Sequence, residues 1–139
     1  MLVMKLLVEH IGLAARDPRS LAKWYTEVLG ANLIFQTDSD PSAFFLQFGA
    51  GVILELYAAE RSYPATAHNR LAGWRHLALR VDSIESTRAA LQAKGVEFEP
   101  STKPAGGGGQ VLFFHDLEGN LLHLVERPAH SFATKALLG

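Results

Sequence analysis

Four side chains in this sequence could do chemistry together: His10, Glu55, His76 and His123. Two of them interrupt runs that are otherwise apolar. Glu55 sits inside Val52-Ile53-Leu54-Glu55-Leu56-Tyr57, and His123 inside Leu121-Leu122-His123-Leu124-Val125. A carboxylate placed among such neighbours needs a cationic partner, for which Arg75 or Arg80 would serve, or a metal ion. A single buried histidine is most often a satisfied core residue. The set carries more weight than its members, because it recurs. Glu55 follows His10 by 45 residues, and His123 follows His76 by 47. Two or three imidazoles with a carboxylate suit zinc, iron, nickel or copper.

The elements that must position these residues repeat as well. Glu9-His10-Ile11-Gly12-Leu13-Ala14-Ala15-Arg16-Asp17 is echoed by Arg75-His76-Leu77-Ala78-Leu79-Arg80-Val81-Asp82. In each copy a histidine leads an apolar-rich run, then a basic residue and an aspartate. Leu6 to Ala15 is β-like. Asp17 is a plausible N-cap with Pro18 at the helix start, and Leu21, Trp24, Tyr25, Val28 and Leu29 continue at helical spacing to a stop at Gly30. Strands are expected at Asn32 to Thr37, Ala43 to Phe48 and Val52 to Tyr57. The second half predicts a strand from Gly73 to Val81, a helix from Ser83 to Lys94 and a short strand from Val96 to Phe98. Lys103 to Gly109 reads as a flexible loop, and Gln110 to His115 and Leu121 to Arg127 as strands. A repeat of this length marks duplicated supersecondary units. The expected organisation is an α+β chain of two βαβββ modules, 1–58 and 73–127, with a linker over 59–72 and a tail over 128–139, together one compact domain. If the modules pair about a pseudo-twofold axis, the four side chains converge.

Bulk properties narrow the function classes. The chain has 139 residues, 48% of them hydrophobic, and a net charge of −1. The mixed charge gives no electrostatic reason to expect nucleic acid as a partner. There is no cysteine, hence no disulfide or thiol chemistry. The apolar N-terminal stretch is short and broken by Lys5, unlike a signal peptide. No run approaches the roughly 20 apolar residues of a membrane span. A soluble, cytoplasmic protein is expected.

Other conspicuous residues receive plainer readings. Glu126 is three residues after His123, on the opposite strand face near the element's end, and reads as a solvated charge. His68, His115 and His130 read as surface residues, and the Trp24–Tyr25 pair as core. Gly106 to Gly109 lacks the lysine and following helix of a phosphate loop. Its backbone freedom suits either a loop that moves over a site or a flexible hairpin connection.

The chain resembles the glyoxalase/bleomycin-resistance/extradiol-dioxygenase superfamily, the vicinal oxygen chelate proteins, from about Val8 to Arg127. The resemblance is carried by His10-Ile11-Gly12-Leu13 with Trp24-Tyr25-Thr26-Glu27-Val28-Leu29-Gly30, by Leu54-Glu55-Leu56, by His76-Leu77-Ala78-Leu79, and by Phe113-Phe114-His115-Asp116-Leu117-Glu118-Gly119-Asn120-Leu121-Leu122-His123-Leu124. It implies paired βαβββ modules around one divalent metal, with homodimers common and modules sometimes paired across subunits. The motifs look most like those of bacterial glyoxalase I, whose ligands would fall on His10, Glu55, His76 and His123. There the fourth ligand is a glutamate, and here it is His123. Ala14 stands where an arginine for the glutathione carboxylate is expected, and Tyr57-Ala58-Ala59-Glu60 lacks an expected asparagine. Both departures argue against glutathione as co-substrate. Leu117 replaces a usual proline.

Together the residues and the resemblance imply a metal-dependent lyase or isomerase for a small substrate with adjacent oxygens. Glu55 is the first choice of proton carrier, and His123 the second. A ring-cleaving dioxygenase on iron is the alternative enzyme. A metal-free drug-binding or resistance protein is the alternative from another class.

Overall fold

Alternation along the strands decides which residues of each sheet are hidden and which are offered. The computed structural model describes residues 4–62 and 68–138 and divides into two compact units, Met1–Tyr63 and Pro64–Gly139. The first runs β1 (His10–Ala15), α1 (Pro18–Glu27), β2 (Asn32–Gln36), β3 (Phe44–Gln47), β4 (Ile53–Ala58). Its sheet has the order β1-β4-β3-β2, with β1 parallel to β4 and the other pairs antiparallel. Asp17 caps α1 by accepting the Ser20 N–H at 3.1 Å, and Pro18 occupies the first turn, where its missing N–H costs nothing. The helix lays Leu21, Ala22 and Tyr25 over the sheet face that carries Ala15, Phe44, Leu46, Leu54 and Leu56, all buried. Each such side chain contributes about 1.5–3 kcal/mol by leaving water. With the even-numbered residues of β3 and β4 committed to that face, the pleat turns Phe45 and Glu55 to the other one.

The second unit repeats the plan. It runs β5 (Leu77–Arg80), α2 (Ile84–Gln92), β6 (Lys103–Pro104), β7 (Gln110–His115), β8 (Leu121–Glu126) and a closing helix α3 (Phe132–Leu138). The sheet order is β5-β8-β7-β6, with β5 parallel to β8. Helix α2 packs on β8. Buried Ile84, Leu91, Leu112, Phe114, Leu122 and Leu124 form the core. The turn between β7 and β8 is fixed by buried Asp116, whose carboxylate accepts from the Glu118 N–H at 2.8 Å and the Asn120 N–H at 2.9 Å. That turn sets the hairpin register and so places His123 directly across from Phe113. Among the described residues no helix is long and apolar enough to cross a membrane.

Several expected boundaries move. β1 starts at His10, not Leu6, because β4, the strand it pairs with, begins opposite it at Ile53. β5 shortens to four residues. The strand expected at Val96 to Phe98 is reduced to a single bridge between Phe98 and Phe114. Further along the same edge of β7, Lys103–Pro104 pairs with Val111 and Gln110, inside the stretch expected to be a loop. Pro104 can sit there because an edge strand does not need its N–H. The tail, read as carrying no signal, contains α3. Ser131 caps it, its hydroxyl accepting the Thr134 N–H at 3.2 Å. Part of the expected linker, residues 63–67, lies outside the described residues.

Two readings of individual residues are corrected. Glu126 is not a free solvated charge: its carboxylate accepts the Ile84 N–H at 2.8 Å, supplying a partner to one of the open amides at the start of α2. The tetraglycine run is not a loose connection either. Ala105 donates its N–H to the Gly109 carbonyl at 3.0 Å, and the Arg127 guanidinium donates to the carbonyls of Gly106 and Gly108. The guanidinium also lies 5.0 Å from the Phe132 ring centroid of α3.

Candidate functional site

The helix-free face of each sheet carries one pair of ligand-type side chains, and the two pairs occupy equivalent register positions. In the parallel pair β1–β4, Glu55 lies opposite Gly12, two residues beyond His10. In β5–β8, His123 lies opposite Ala78, two residues beyond His76. Each second member also faces a phenylalanine on the next strand, Phe45 across from Glu55 and Phe113 across from His123. The different spacings in sequence therefore resolve into one geometry.

In the first unit His10 Nε2 stands 3.4 Å from Glu55 Oε1. The other ring nitrogen, Nδ1, is 2.9 Å from Glu9 Oε1. Phe45 meets the His10 ring edge-on with centroids 6.0 Å apart. Gly12, between the two strands' side chains, leaves room for the Tyr57 ring, which a Cβ would approach to 3.1 Å. In the second unit the His76 and His123 rings lie 4.6 Å apart. His76 Nδ1 is 2.7 Å from Asn69 Oδ1, and His123 Nδ1 is 3.2 Å from the Leu124 carbonyl. Phe113 touches both rings edge-on, at 6.2 and 5.1 Å. Lys103 lies over the Phe113 ring at 5.5 Å and pairs with Glu99 at 3.3 Å.

Burial is the main force on His123, which is 7% exposed. It holds this imidazole below the ordinary histidine value, and the neighbouring His76 acts in the same direction. The bond to Leu124 opposes them, and Arg127 adds a smaller downward push. The outcome favours neutral imidazole, the form that ligates metals.

The donor set fits a divalent ion. Two ligand atoms each about 2.1 Å from one ion at a tetrahedral angle stand about 3.4 Å apart, which is the His10–Glu55 separation. At 3.4 Å this contact is longer than the 2.9 Å bond between His10 Nδ1 and Glu9. With the ring proton on Nδ1, Nε2 and the carboxylate oxygen both turn lone pairs toward one place, where a metal ion would be held by both. Each unit supplies two of the four residues singled out in the sequence, and among the described residues no group of three or more His, Asp or Glu is placed so that it could hold a metal ion. Glu55 has His10 as its partner, and Arg80, an alternative expected from sequence, donates to Thr134 Oγ1.

His68, His115 and His130 are exposed, as expected. Tyr25 is core, but Trp24, stacked edge-on against it at 5.3 Å, is only partly buried. Sequence reasoning missed Glu9, Asn69, Phe45, Phe113 and Lys103. The two phenylalanines had a signal, since Phe45 stands 10 residues before Glu55 as Phe113 stands 10 before His123. Glu9 and Asn69 had none beyond their proximity to the histidines in the chain.

Comparison with known proteins agrees with this architecture. The model of the Glyoxalase/Bleomycin resistance protein/Dioxygenase superfamily matches residues 7–124. The putative ring-cleaving dioxygenase MhqE of Bacillus subtilis is 28% identical over 126 residues, covering 86% of this chain and 41% of that protein. A probable lactoylglutathione lyase of Vibrio parahaemolyticus is 26% identical over 124 residues, covering 84% of this chain and 88% of the relative. Among solved structures, a glyoxalase family protein from Enterococcus faecalis superposes with a TM-score of 0.72 at 27% identity, covering 86% of this chain and 97% of that one. With a family model spanning most of its length and a shared fold, this chain belongs to the Glyoxalase/Bleomycin resistance protein/Dioxygenase superfamily.

Proposed function

We propose that this protein is a metal-dependent enzyme of the lyase or isomerase type, acting on a small molecule with two adjacent oxygens. His10 and Glu55 of the first unit and His76 and His123 of the second are the ligands. The observation that carries this reading is the repeated pair: the same two register positions hold ligand-type residues in both units. When bound, a divalent ion supplies Lewis-acid polarisation of the substrate's oxygens and relief of the negative charge that develops there. The chain's own part is proton movement and positioning. Glu55, whose side chain is 25% exposed, is within reach of solvent and substrate and can take a proton from one carbon and return it to the next. His123 stays neutral. Phe45 and Phe113 exclude water beside the ligand pairs, and the protein works as a homodimer.

The test is elemental analysis of protein purified without a chelating tag, beside His76→Ala. About one zinc, nickel, iron or copper per site, lost in the variant, is expected. No metal after divalent ions are restored would remove both enzyme readings and leave a protein that sequesters a small ligand.

The second reading, a ring-cleaving dioxygenase, is favoured by the likeness to MhqE and by the two-histidine, one-carboxylate subset of the ligands. Bound ferrous iron with oxygen uptake on a catechol would establish it in place of the first. Light scattering checks the dimer.

A further inference from the structure

In all three candidate ligand histidines the Nδ1 atom faces an oxygen that can only accept. For His10 this is the Glu9 carboxylate at 2.9 Å, for His76 the Asn69 amide oxygen at 2.7 Å, and for His123 the Leu124 carbonyl at 3.2 Å. None of these oxygens carries a proton to give, so each bond exists only if Nδ1 carries it. In a neutral imidazole the other nitrogen, Nε2, then has its lone pair free. Isolated histidine favours the opposite tautomer, with the proton on Nε2. Three rings in one chain therefore share a form that each must be held in.

We propose that Glu9 and Asn69 are positioning residues that lock His10 and His76 in the Nδ1–H tautomer and so present Nε2 for metal coordination. The inference rests on the metal-centre reading given above for its purpose, though not for its geometry. The backbone carbonyl of Leu124 performs the same task for His123 and cannot be altered by substitution. His10 shows the consequence directly. Its Nδ1 is turned to Glu9 while Nε2 points at Glu55 Oε1, 3.4 Å away, leaving lone pairs on both atoms aimed at one place. Acceptors on the far side of a ligating imidazole fix its orientation and raise its basicity, and their loss costs metal affinity about 10- to 100-fold.

The experiment is long-range proton–nitrogen NMR on metal-free, histidine-labelled protein at about pH 8.5, two units above the ordinary histidine value, where imidazoles are neutral. Wild type is expected to show Nδ1–H at His10, His76 and His123. Glu9→Ala should shift His10 alone toward Nε2–H, and Asn69→Ala should shift His76 alone. Glu9→Gln and Asn69→Asp, which keep an acceptor, should restore the wild-type signals. His123 should not change in any variant, and its constancy shows that the fold is intact. Zinc affinity, measured by competition with a chelator, should fall about 10- to 100-fold in the two alanine variants. Nε2–H at His10 or His76 in wild type, or alanine variants with unchanged tautomers or unchanged zinc affinity, would overturn the proposal. The tautomer is read without metal. Locked Nδ1–H rings in a protein that binds no ion would therefore refute the metal-centre reading alone.

Discussion

Replacing the glycines of the Gly106 to Gly109 turn one at a time distinguishes a packed connection from a loose one. Gly106 has an ordinary backbone conformation and open space around it, so Gly106→Ala adds only a methyl to solvent. By reducing the freedom of the unfolded chain, it should stabilise by about 0.4–1 kcal/mol. Gly108 has φ +100°, and an added Cβ would meet nothing nearer than Pro128 at 4.0 Å. Gly108→Ala should therefore cost strain alone, about 1–3 kcal/mol. Gly109 has φ +98°, and its Cβ would overlap the Glu126 carbonyl oxygen, a backbone atom at the end of β8. Strain and steric conflict together should cost about 2–5 kcal/mol. Urea denaturation followed by circular dichroism measures the series. The order of stability, 106 above 108 above 109, matters more than any single value. A Gly109→Ala protein as stable as Gly106→Ala would show that the turn moves freely and that its contacts with β8 carry no weight.

Two further outcomes follow from single contacts. Glu126→Ala removes the acceptor of the part-buried Ile84 N–H, and the unfolding free energy should drop by about 1–3 kcal/mol, with Glu126→Gln losing less, as read from urea midpoints. Acid should weaken the first helix through Asp17. Hydrogen bonds from the Ser20 side chain and backbone hold its carboxyl below the ordinary 3.8, so the folded state binds fewer protons than the unfolded one. This stabilising contribution is present above pH 3.8 and is lost as pH falls through the lower folded value; stability curves of wild type and Asp17→Asn, compared across that range, should converge at the acid end.

The sequence by itself determined what depends on local period and on the repeat. With a side-chain period of two, Leu54 and Leu56 inside the core oblige Glu55 to turn to the opposite face of its sheet, and Leu122 and Leu124 do the same for His123. The duplicated histidine-led strands carried the βαβββ plan and pointed to both pairs of ligand-type side chains. Capping at Asp17 was equally legible, because Pro18 and Ser20 are its immediate neighbours.

Tertiary structure decided whatever depends on a partner distant in the chain. Glu126 looked solvated because the amide it serves is 42 residues away. The glycine run looked mobile because Arg127, which ties its carbonyls, lies beyond an intervening hairpin. β6 formed at Lys103–Pro104, opposite Val111 and Gln110, while Phe98 meets β7 further along the same edge through a single bridge to Phe114. The oxygen that each Nδ1 meets is also a matter of three-dimensional placement. Residue types alone can say that an imidazole is present. Which of its nitrogens is free depends on the acceptor that folding sets beside the other.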